Sequence, residues 1–336
     1  MQIIPSKINR YINYSLGLIH SFSKKKELII PLLFIISYVI FYFLVDFSSQ
    51  SLVAHDEGLY ARRARLIEES YNWFASPFET PHHKTLGSYW LIALSIRFFG
   101  NSEFSLRLPS IITSFLSLFI SYLISLKISN KKIALMSVFS LSSMPLWIQY
   151  SRYSSPDIPF VLCILLVIFF FLKFLESTNN MYMYIYIFIS ALFISISFFI
   201  RSYMALVPLI GLLPFFGFHL IRSNYIIKYT FAFGILIGSI PTFLNLYFAY
   251  YKFGMSGISS LFDFAKKQAI GNYDFTSLIL IPINFLYFTF PIGLLFILLF
   301  VLSRSHLDIK YPLLVYLFPF ISLIILLSMS TSYPHY

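Results

Sequence analysis

The sequence predicts an all-α polytopic membrane protein, and three observations carry that prediction. Of the 336 residues, 58% are hydrophobic and 11% charged, and the mean hydropathy is +0.80. A soluble domain carries roughly 25% charged residues, so this chain has too little polar surface to coat a water-soluble globule. Its apolar residues run on continuously over about 20 positions, the length of a bilayer-crossing helix, and do not alternate as in a membrane β-barrel. Basic residues also sort to one side of those runs. With the N-terminus inside, the inner segments hold Lys7, Arg10, Lys24, Lys25, Lys26, Lys127, Lys131, Lys132, Lys173, Arg222, Lys228, Arg304 and Lys310 against Glu27, Glu176 and Asp308. Such a bias fixes orientation in a membrane. It accounts for the net charge of +11 without a nucleic-acid partner. Cys163 is the only cysteine, so no intramolecular disulfide forms.

The elements follow in order. Residues 1–27 form a polar, basic cytoplasmic segment. The run 28–46 is too long for a signal-peptide core and reads as a retained anchor. Further spans are expected at 105–127, 133–149, 158–176, 181–200, 203–220, 226–249, 277–302 and 311–331. They make a transmembrane domain over 28–331 of about nine helices. An outer loop at 47–104 contains amphipathic helical patterns, and a second at 250–276 reads as a short interfacial helix. Residues 332–336 begin a further outer segment, and the chain reads as truncated at its C-terminus.

The first outer loop opens with His55-Asp56-Glu57-Gly58-Leu59-Tyr60-Ala61-Arg62-Arg63. On residue types alone two readings stand: a solvated helix start with Asp56 as cap and Glu57 in the first turn, or a pair of carboxylates placed for chemistry. In the segment 57–71 Arg62, Arg63, Arg65, Glu68 and Glu69 oppose Leu59, Leu66 and Ile67. Next comes Pro81-His82-His83-Lys84-Thr85-Leu86-Gly87-Ser88-Tyr89-Trp90-Leu91. The sequence names no cofactor. A divalent metal ion is the one candidate, with His55, Glu57, His82 and His83 as ligands. Tyr89-Trp90 also suits an aromatic belt at the membrane surface.

The order of these motifs resembles a family. An Asp-Glu pair follows the first span, then a Lys-containing turn leads into Tyr89-Trp90-Leu91, and Phe99-Gly100-Asn101-Ser102-Glu103-Phe104-Ser105-Leu106-Arg107-Leu108-Pro109-Ser110 opens the next span. The pattern is similar to the integral-membrane glycosyltransferases of the C-type fold, in the branch of aminoarabinose lipid A transferases and protein O-mannosyltransferases. Tyr150-Ser151-Arg152-Tyr153-Ser154-Ser155-Pro156-Asp157 resembles a second acidic motif of that family, Arg201 sits where relatives have a basic residue, and Tyr333-Pro334-His335-Tyr336 resembles the start of a later Pro-x-Tyr motif. The resemblance covers 50–220 best. It departs at Lys84-Thr85-Leu86, where relatives usually carry Lys-Pro-x, and at Ser330-Thr331-Ser332, where they carry a Lys.

The resemblance implies transfer of a sugar from a polyprenyl-phosphate donor to a glycolipid such as lipid A, a polymer or a protein, at the outer face of the bacterial cytoplasmic membrane. Such a transfer needs a group to position or deprotonate the acceptor and cations to stabilise the leaving phosphate. The carry-over makes Asp56 the expected base, with Glu57 and Asp157 as supporting acids. It makes Lys84, Arg62, Arg63, Arg152 and Arg201 the candidates for the donor phosphate, and Tyr60, Tyr89 and Tyr336 the candidates for sugar or acceptor contacts. A flippase or transporter of lipid-linked saccharides and an O-antigen polymerase or ligase are the alternatives. Ionisable residues lie at the ends of the expected spans, whereas an ion-coupled transporter needs them near the midplane.

Overall fold

The computed structural model describes residues 52, 57–75, 77–270, 283, 287 and 310–329. All belong to one compact unit within Asp46–Tyr336. The expected segments 1–27, 28–46 and 332–336, most of 277–302, and the candidates His55, Asp56 and Tyr336 lie outside the described residues.

Every regular element among the described residues is helical. In chain order these are α1 (Glu57–Ser70), α2 (Gly87–Phe99), α3 (Glu103–Ile128), α4 (Lys131–Ser143), α5 (Pro145–Tyr150), α6 (Asp157–Glu176), α7 (Asn180–Arg201), α8 (Leu206–Ile221), α9 (Tyr225–Phe253), α10 (Met255–Ile270) and α11 (Phe318–Ser328). A 3₁₀ turn, Ser202–Ala205, joins α7 to α8, and a π-helical turn, Leu313–Leu317, leads into α11. By length and composition, four stretches among the described residues can cross a membrane: Glu103–Ile128, Asp157–Glu176, Asn180–Ile221 and Tyr225–Phe253. The protein is an integral membrane protein.

Local signals explain the helix ends. Ser102 caps α3 through a reciprocal pair of bonds with Ser105, and Asn130 and Asn224 cap α4 and α9 with their side-chain oxygens. The expected span 133–149 is interrupted. Pro145 lacks an N–H and holds the residue before it in extended conformation, so α4 stops at Ser143, Met144 takes φ −68 and ψ 129, and a six-residue helix follows.

Two apolar cores hold the unit together. One is built from α6, α7 and α8 around Val167, Phe171, Leu172, Ile187, Leu212 and Phe215. The other gathers Tyr60, Ala61, Ala64 and Ile67 of α1 against Leu86, Tyr89, Ile92 and Ala93, with Leu106 of α3 and Phe199 of α7. The inward face of α1 is therefore Tyr60, Ala61, Ala64 and Ile67. Leu59 and Leu66, expected on the apolar side, are exposed at 38% and 36%. Small residues line the inner side because α1 packs closely over α2.

The segment between α1 and α2 is tied to α9 and α10. Lys252 Nζ donates to the Phe78 carbonyl (2.8 Å), Asn245 Nδ2 to that of Phe74 (3.4 Å) and Ser260 Oγ to that of His82 (3.1 Å). At the far end of the bundle Glu176 is bridged by Lys127 and Lys310, which joins α3, α6 and the approach to α11.

Helices α7 and α9 approach one another closely. A Cβ on Gly234 would lie 2.6 Å from the Phe188 carbonyl oxygen, and one on Gly238 would lie 2.7 Å from that of Leu192. Ser195 Oγ donates across the contact to the Ile235 carbonyl at 2.8 Å. Small residues let membrane helices meet in this way. We expect Gly238→Leu to force the helices apart and cost about 1–3 kcal/mol. Thermal unfolding of the purified protein in detergent would then fall by several degrees; an unchanged midpoint would show that the contact tolerates a side chain.

Candidate active site

The site begins with a buried ion pair. Glu57, the first residue of α1, is fully buried, and Arg107 in the second turn of α3 is 4% exposed. Arg107 Nε donates to Glu57 Oε1 at 3.0 Å and its Nη2 to Oε2 at 2.9 Å. The Ser154 amide donates to the same Oε1 at 2.9 Å. One carboxylate thus fixes α1, α3 and the turn between α5 and α6 relative to one another. Glu57 is neither the solvated first-turn acid nor the metal ligand that its sequence position suggests, because both its oxygens are taken. Its place is in the frame of the site, immediately after Asp56.

Beside this frame lies a cleft of about 420 Å³ lined by Tyr60, His83, Lys84, Pro156, Ile200, Arg201, Ser202, Tyr203, Met204 and Phe264. Lys84 donates from Nζ to the Tyr60 hydroxyl at 3.0 Å, and the ammonium lies 5.0 Å from the centre of that ring. Arg201 Nη2 meets Asp157 Oδ1 at 2.7 Å. Four sequence candidates (Tyr60, Lys84, Asp157 and Arg201) therefore converge, and His83 lines the same cleft. A second cleft, of about 350 Å³, opens on the other side of the Lys84 turn between Asn245, Leu246, Ala249, Phe253, Gly257 and Leu261, with His82, Lys84, Thr85 and Leu86. Lys84 reaches both.

The turn that carries Lys84 is pinned to the end of α7. The Thr85 amide donates to Ser202 Oγ at 2.9 Å, the two hydroxyls are 2.9 Å apart, and Thr85 Oγ1 donates to the Phe198 carbonyl at 3.3 Å. A Cβ on Gly87 would lie 2.6 Å from the Phe199 carbonyl oxygen, so only glycine permits this docking. Thr85 stands where the related pattern has proline, which could not donate the amide bond. Ser202 has φ 55 and ψ −140, a region that is nearly glycine-only and costs about 1–3 kcal/mol for other residues.

Burial and neighbouring cations set the charge states. Burial first, and Arg201 and Arg63 next, lower the Lys84 pKa, against the opposing pull of Tyr89 and Asp157. His83 is lowered to about 4 by burial and then by Lys84 and Arg63. His82 is also held well below the ordinary value by burial, Arg63, His83 and Lys84, in that order. Its Nε2 lies 2.9 Å from the Tyr89 hydroxyl, which also accepts from Arg63 Nη1 at 3.2 Å. Burial raises the Tyr89 pKa, so its proton stays on.

The remaining candidates separate. Arg63 stacks over Phe78 and Tyr89, with its guanidinium carbon 5.5 and 5.9 Å from the ring centres, and joins the support beneath the cleft. Arg62 is exposed, and Arg152 is not among the cleft-lining residues. The His82 and His83 rings have centres 4.9 Å apart and are tilted by 55° to one another, and no group of three metal-binding side chains occurs among the described residues. Sequence reasoning missed Arg107, Thr85, Ser202, Tyr203 and Phe264. Arg107 carried the clearest signal, as a lone cation entering an apolar span next to an unassigned acid.

Comparisons with known proteins bear on the fold that carries this cleft. The solved structure of ArnT from Cupriavidus metallidurans bound to undecaprenyl phosphate superposes with a TM-score of 0.73 over 90% of this chain and 56% of that one, at 14% identity. The chain has the C-type membrane glycosyltransferase fold. Residues 83–248 match the family model described as dolichyl-phosphate-mannose-protein mannosyltransferase. An undecaprenyl phosphate-alpha-4-amino-4-deoxy-L-arabinose arabinosyl transferase from Wigglesworthia glossinidia brevipalpis is 32% identical over 127 residues, covering 37% of this chain and 22% of the relative. A like-named protein of Pseudomonas fluorescens strain Pf0-1 is 28% identical over 131 residues, 38% and 23% of the two chains. The chain thus spans about a fifth to a quarter of the length of these curated relatives. The family match begins at His83 and takes in Lys84, Asp157 and Arg201 of the C-type bundle.

Two outcomes test this geometry. Glu57→Ala should cost about 3–5 kcal/mol by stranding a buried guanidinium, whereas Glu57→Leu with Arg107→Met should recover much of that loss; thermal unfolding in detergent reads both. Equal losses in the single and double variants would exclude the pairing. Separately, diethyl pyrocarbonate, which attacks neutral imidazole, should modify His83 at pH 5.5 nearly as fast as at pH 7, whereas an ordinary histidine with a pKa of about 6.5 is by then mostly protonated. Because the folded pKa is the lower one, the His83 contribution to stability is complete above about pH 6.5 and is lost as pH falls towards 4.

Proposed function

We propose that this chain carries the donor site of a glycosyltransferase that moves a sugar from a polyprenyl phosphate to an acceptor at the outer face of the bacterial cytoplasmic membrane. The observation that carries the proposal is the convergence of Lys84 and Arg201 on one cleft, with Asp157 beside them. Two cations against one carboxylate leave a net positive charge, which suits the phosphodiester of the donor and the phosphate that leaves. In the reaction an acceptor oxygen forms a bond to the anomeric carbon, the bond from that carbon to the phosphate oxygen breaks, and polyprenyl phosphate departs. The acceptor proton, where there is one, passes to Asp56. Positive charge develops on the sugar in the transition state, and Lys84 and Arg201 counter the negative charge arriving on the phosphate. Asp157 orients Arg201 towards that charge.

The acceptor is a glycolipid such as lipid A, a polymer or a protein. The solved ArnT structure was obtained with undecaprenyl phosphate, which supports a polyprenyl-phosphate donor here. In the four described membrane-crossing stretches the ionisable side chains, including Arg107, Lys127, Asp157, Lys173, Arg201, His219, Lys228 and Lys252, lie towards helix ends or at the Ser202 break. Such a distribution favours chemistry at a membrane surface over ion-coupled transport.

The test is transfer by the full-length protein in proteoliposomes, with undecaprenyl-phosphate-linked sugars as donors and envelope extracts as acceptors, read by mass spectrometry. Lys84→Ala should weaken donor use by about 1.5–3 kcal/mol, roughly 10- to 150-fold. Asp56→Asn, which caps a helix as well as Asp does, should lower turnover by about 10²–10⁴-fold with folding intact. Full activity in either variant would remove that residue from the reaction, and no transfer from any such donor would end the proposal.

A further inference from the structure

The geometry points to Ser202 and Thr85 as positioning residues that set the gap between Lys84 and Arg201. This inference rests on the phosphate-site reading above. Each residue of the pair directly follows one of the two cations in sequence, so the Thr85–Ser202 contact is the nearest link between the backbones that carry them.

Backbone conformation supplies the first argument. After α2 and α9 the chain turns through positive φ at Gly100 (φ 79) and Gly254 (φ 63), with nothing within 4 Å of where a Cβ would sit. After α7 it makes a comparable turn at Ser202 (φ 55). The other positive-φ helix ends are filled by glycine after α2 and α9, or by the exposed Tyr71 (φ 56) after α1, whereas Ser202 is buried. The strained serine has a side chain in use instead: Ser202 Oγ accepts the Thr85 amide and lies 2.9 Å from Thr85 Oγ1.

Proton accounting supplies the second. The Thr85 amide donates to Ser202 Oγ and Thr85 Oγ1–H to the Phe198 carbonyl, which leaves Ser202 Oγ–H to donate to Thr85 Oγ1, 2.9 Å away. Every proton of this circuit has an acceptor, which a buried polar network requires if it is to be rigid. Thr85 is 1% exposed and Ser202 8%.

Charge supplies the third. Lys84 and Arg201 line one cleft from separate elements, and like charges there repel one another. Asp157 and Tyr60 hold the two heads, but neither links the two backbones, which the repulsion pushes apart when no phosphate lies between them. The serine–threonine tie opposes that relaxation, so the backbones that carry the two cations are held in register before the donor arrives. Preorganisation of this kind matters because a displacement of about 1 Å can cost roughly 100-fold in rate.

The decisive variant is Ser202→Gly, which removes the hydroxyl and relieves the backbone. It should fold with a stability close to the parent's, because the relieved strain offsets the stranded Thr85 amide, while KM for an undecaprenyl-phosphate sugar rises roughly ten- to hundred-fold with a smaller change in kcat. Ser202→Asn, which tolerates positive φ and offers an acceptor to the Thr85 amide, should recover part of the loss. A second measurement needs no turnover: the pH dependence of Lys84 acylation by an amine-reactive reagent, read by peptide mass spectrometry in the full-length protein. Its midpoint should move up towards that of an ordinary lysine in Ser202→Gly and in Thr85→Val, as Lys84 relaxes away from Arg201. A Ser202→Gly protein with unchanged KM and an unchanged labelling midpoint would overturn the inference, and so would one that fails to fold, since the hydroxyl would then be merely structural. If the parent uses no polyprenyl-phosphate sugar, the functional proposal fails, and the labelling midpoint still decides whether Ser202 positions Lys84.

Discussion

The organisation of the site depends on the bond between Glu57 and Arg107. Removing two charged groups from water costs several kcal/mol per ion, and the attraction offsets this only when geometry is good and the spare hydrogen-bonding capacity is filled. Here the guanidinium engages both carboxylate oxygens, and the Ser154 amide takes one of them as well. The pair is a weak source of net stability but a strong source of specificity, because sliding α1 by one residue would strand both charges. That fixes where α1 starts, and Tyr60, one turn further on, inherits its position from it. Tyr60 in turn holds Lys84.

A second consequence is a division of labour between polar and apolar matter. The interior of α6, α7 and α8 is packed with Phe171, Leu172, Ile187, Leu212 and Phe215, which serve the bundle and carry no chemistry. Charged and hydroxyl-bearing groups gather where α1, the Lys84 turn, the start of α6 and the end of α7 meet. Rigid helices anchored in the apolar body thus present short polar turns at one end. The polar end can tolerate strain, as at Ser202, because the body beneath it is over-determined by packing.

Much of this was legible in the sequence, and the remainder was hidden for identifiable reasons. Continuous apolar runs announced α3, α6, α7 and α9 because length and hydropathy suffice for a bilayer helix. The interruption at Met144 was carried by Pro145, a local signal outweighed by the apolar run around it. Lys84, Asp157 and Arg201 were found through motif resemblance, and the fold brings them together. The partner of Glu57 was not legible, because 50 residues separate it from Arg107 and no periodic pattern links them. Thr85 and Ser202, 117 residues apart, were invisible for the same reason. Leu59 and Leu66 misled because a helix in a membrane-surface loop can expose large apolar residues and bury alanines. Asp56, His55 and Tyr336 lie outside the described residues.

The break at Ser202 has a consequence for how the chain enters the membrane. The stretch Asn180–Ile221 is 42 residues long, and as one helix it would measure roughly 63 Å, about twice the hydrocarbon thickness of a bilayer. The strained turn divides it into two segments of span length, so the pair can insert as a hairpin whose apex carries Arg201. Each residue of an α-helix turns about 100° around its axis. Moving the hairpin apex by a single residue would therefore leave two membrane-length segments intact and still rotate the guanidinium away from Asp157. Insertion alone tolerates an apex anywhere within a few residues, and it is the ion pair that narrows the choice to one.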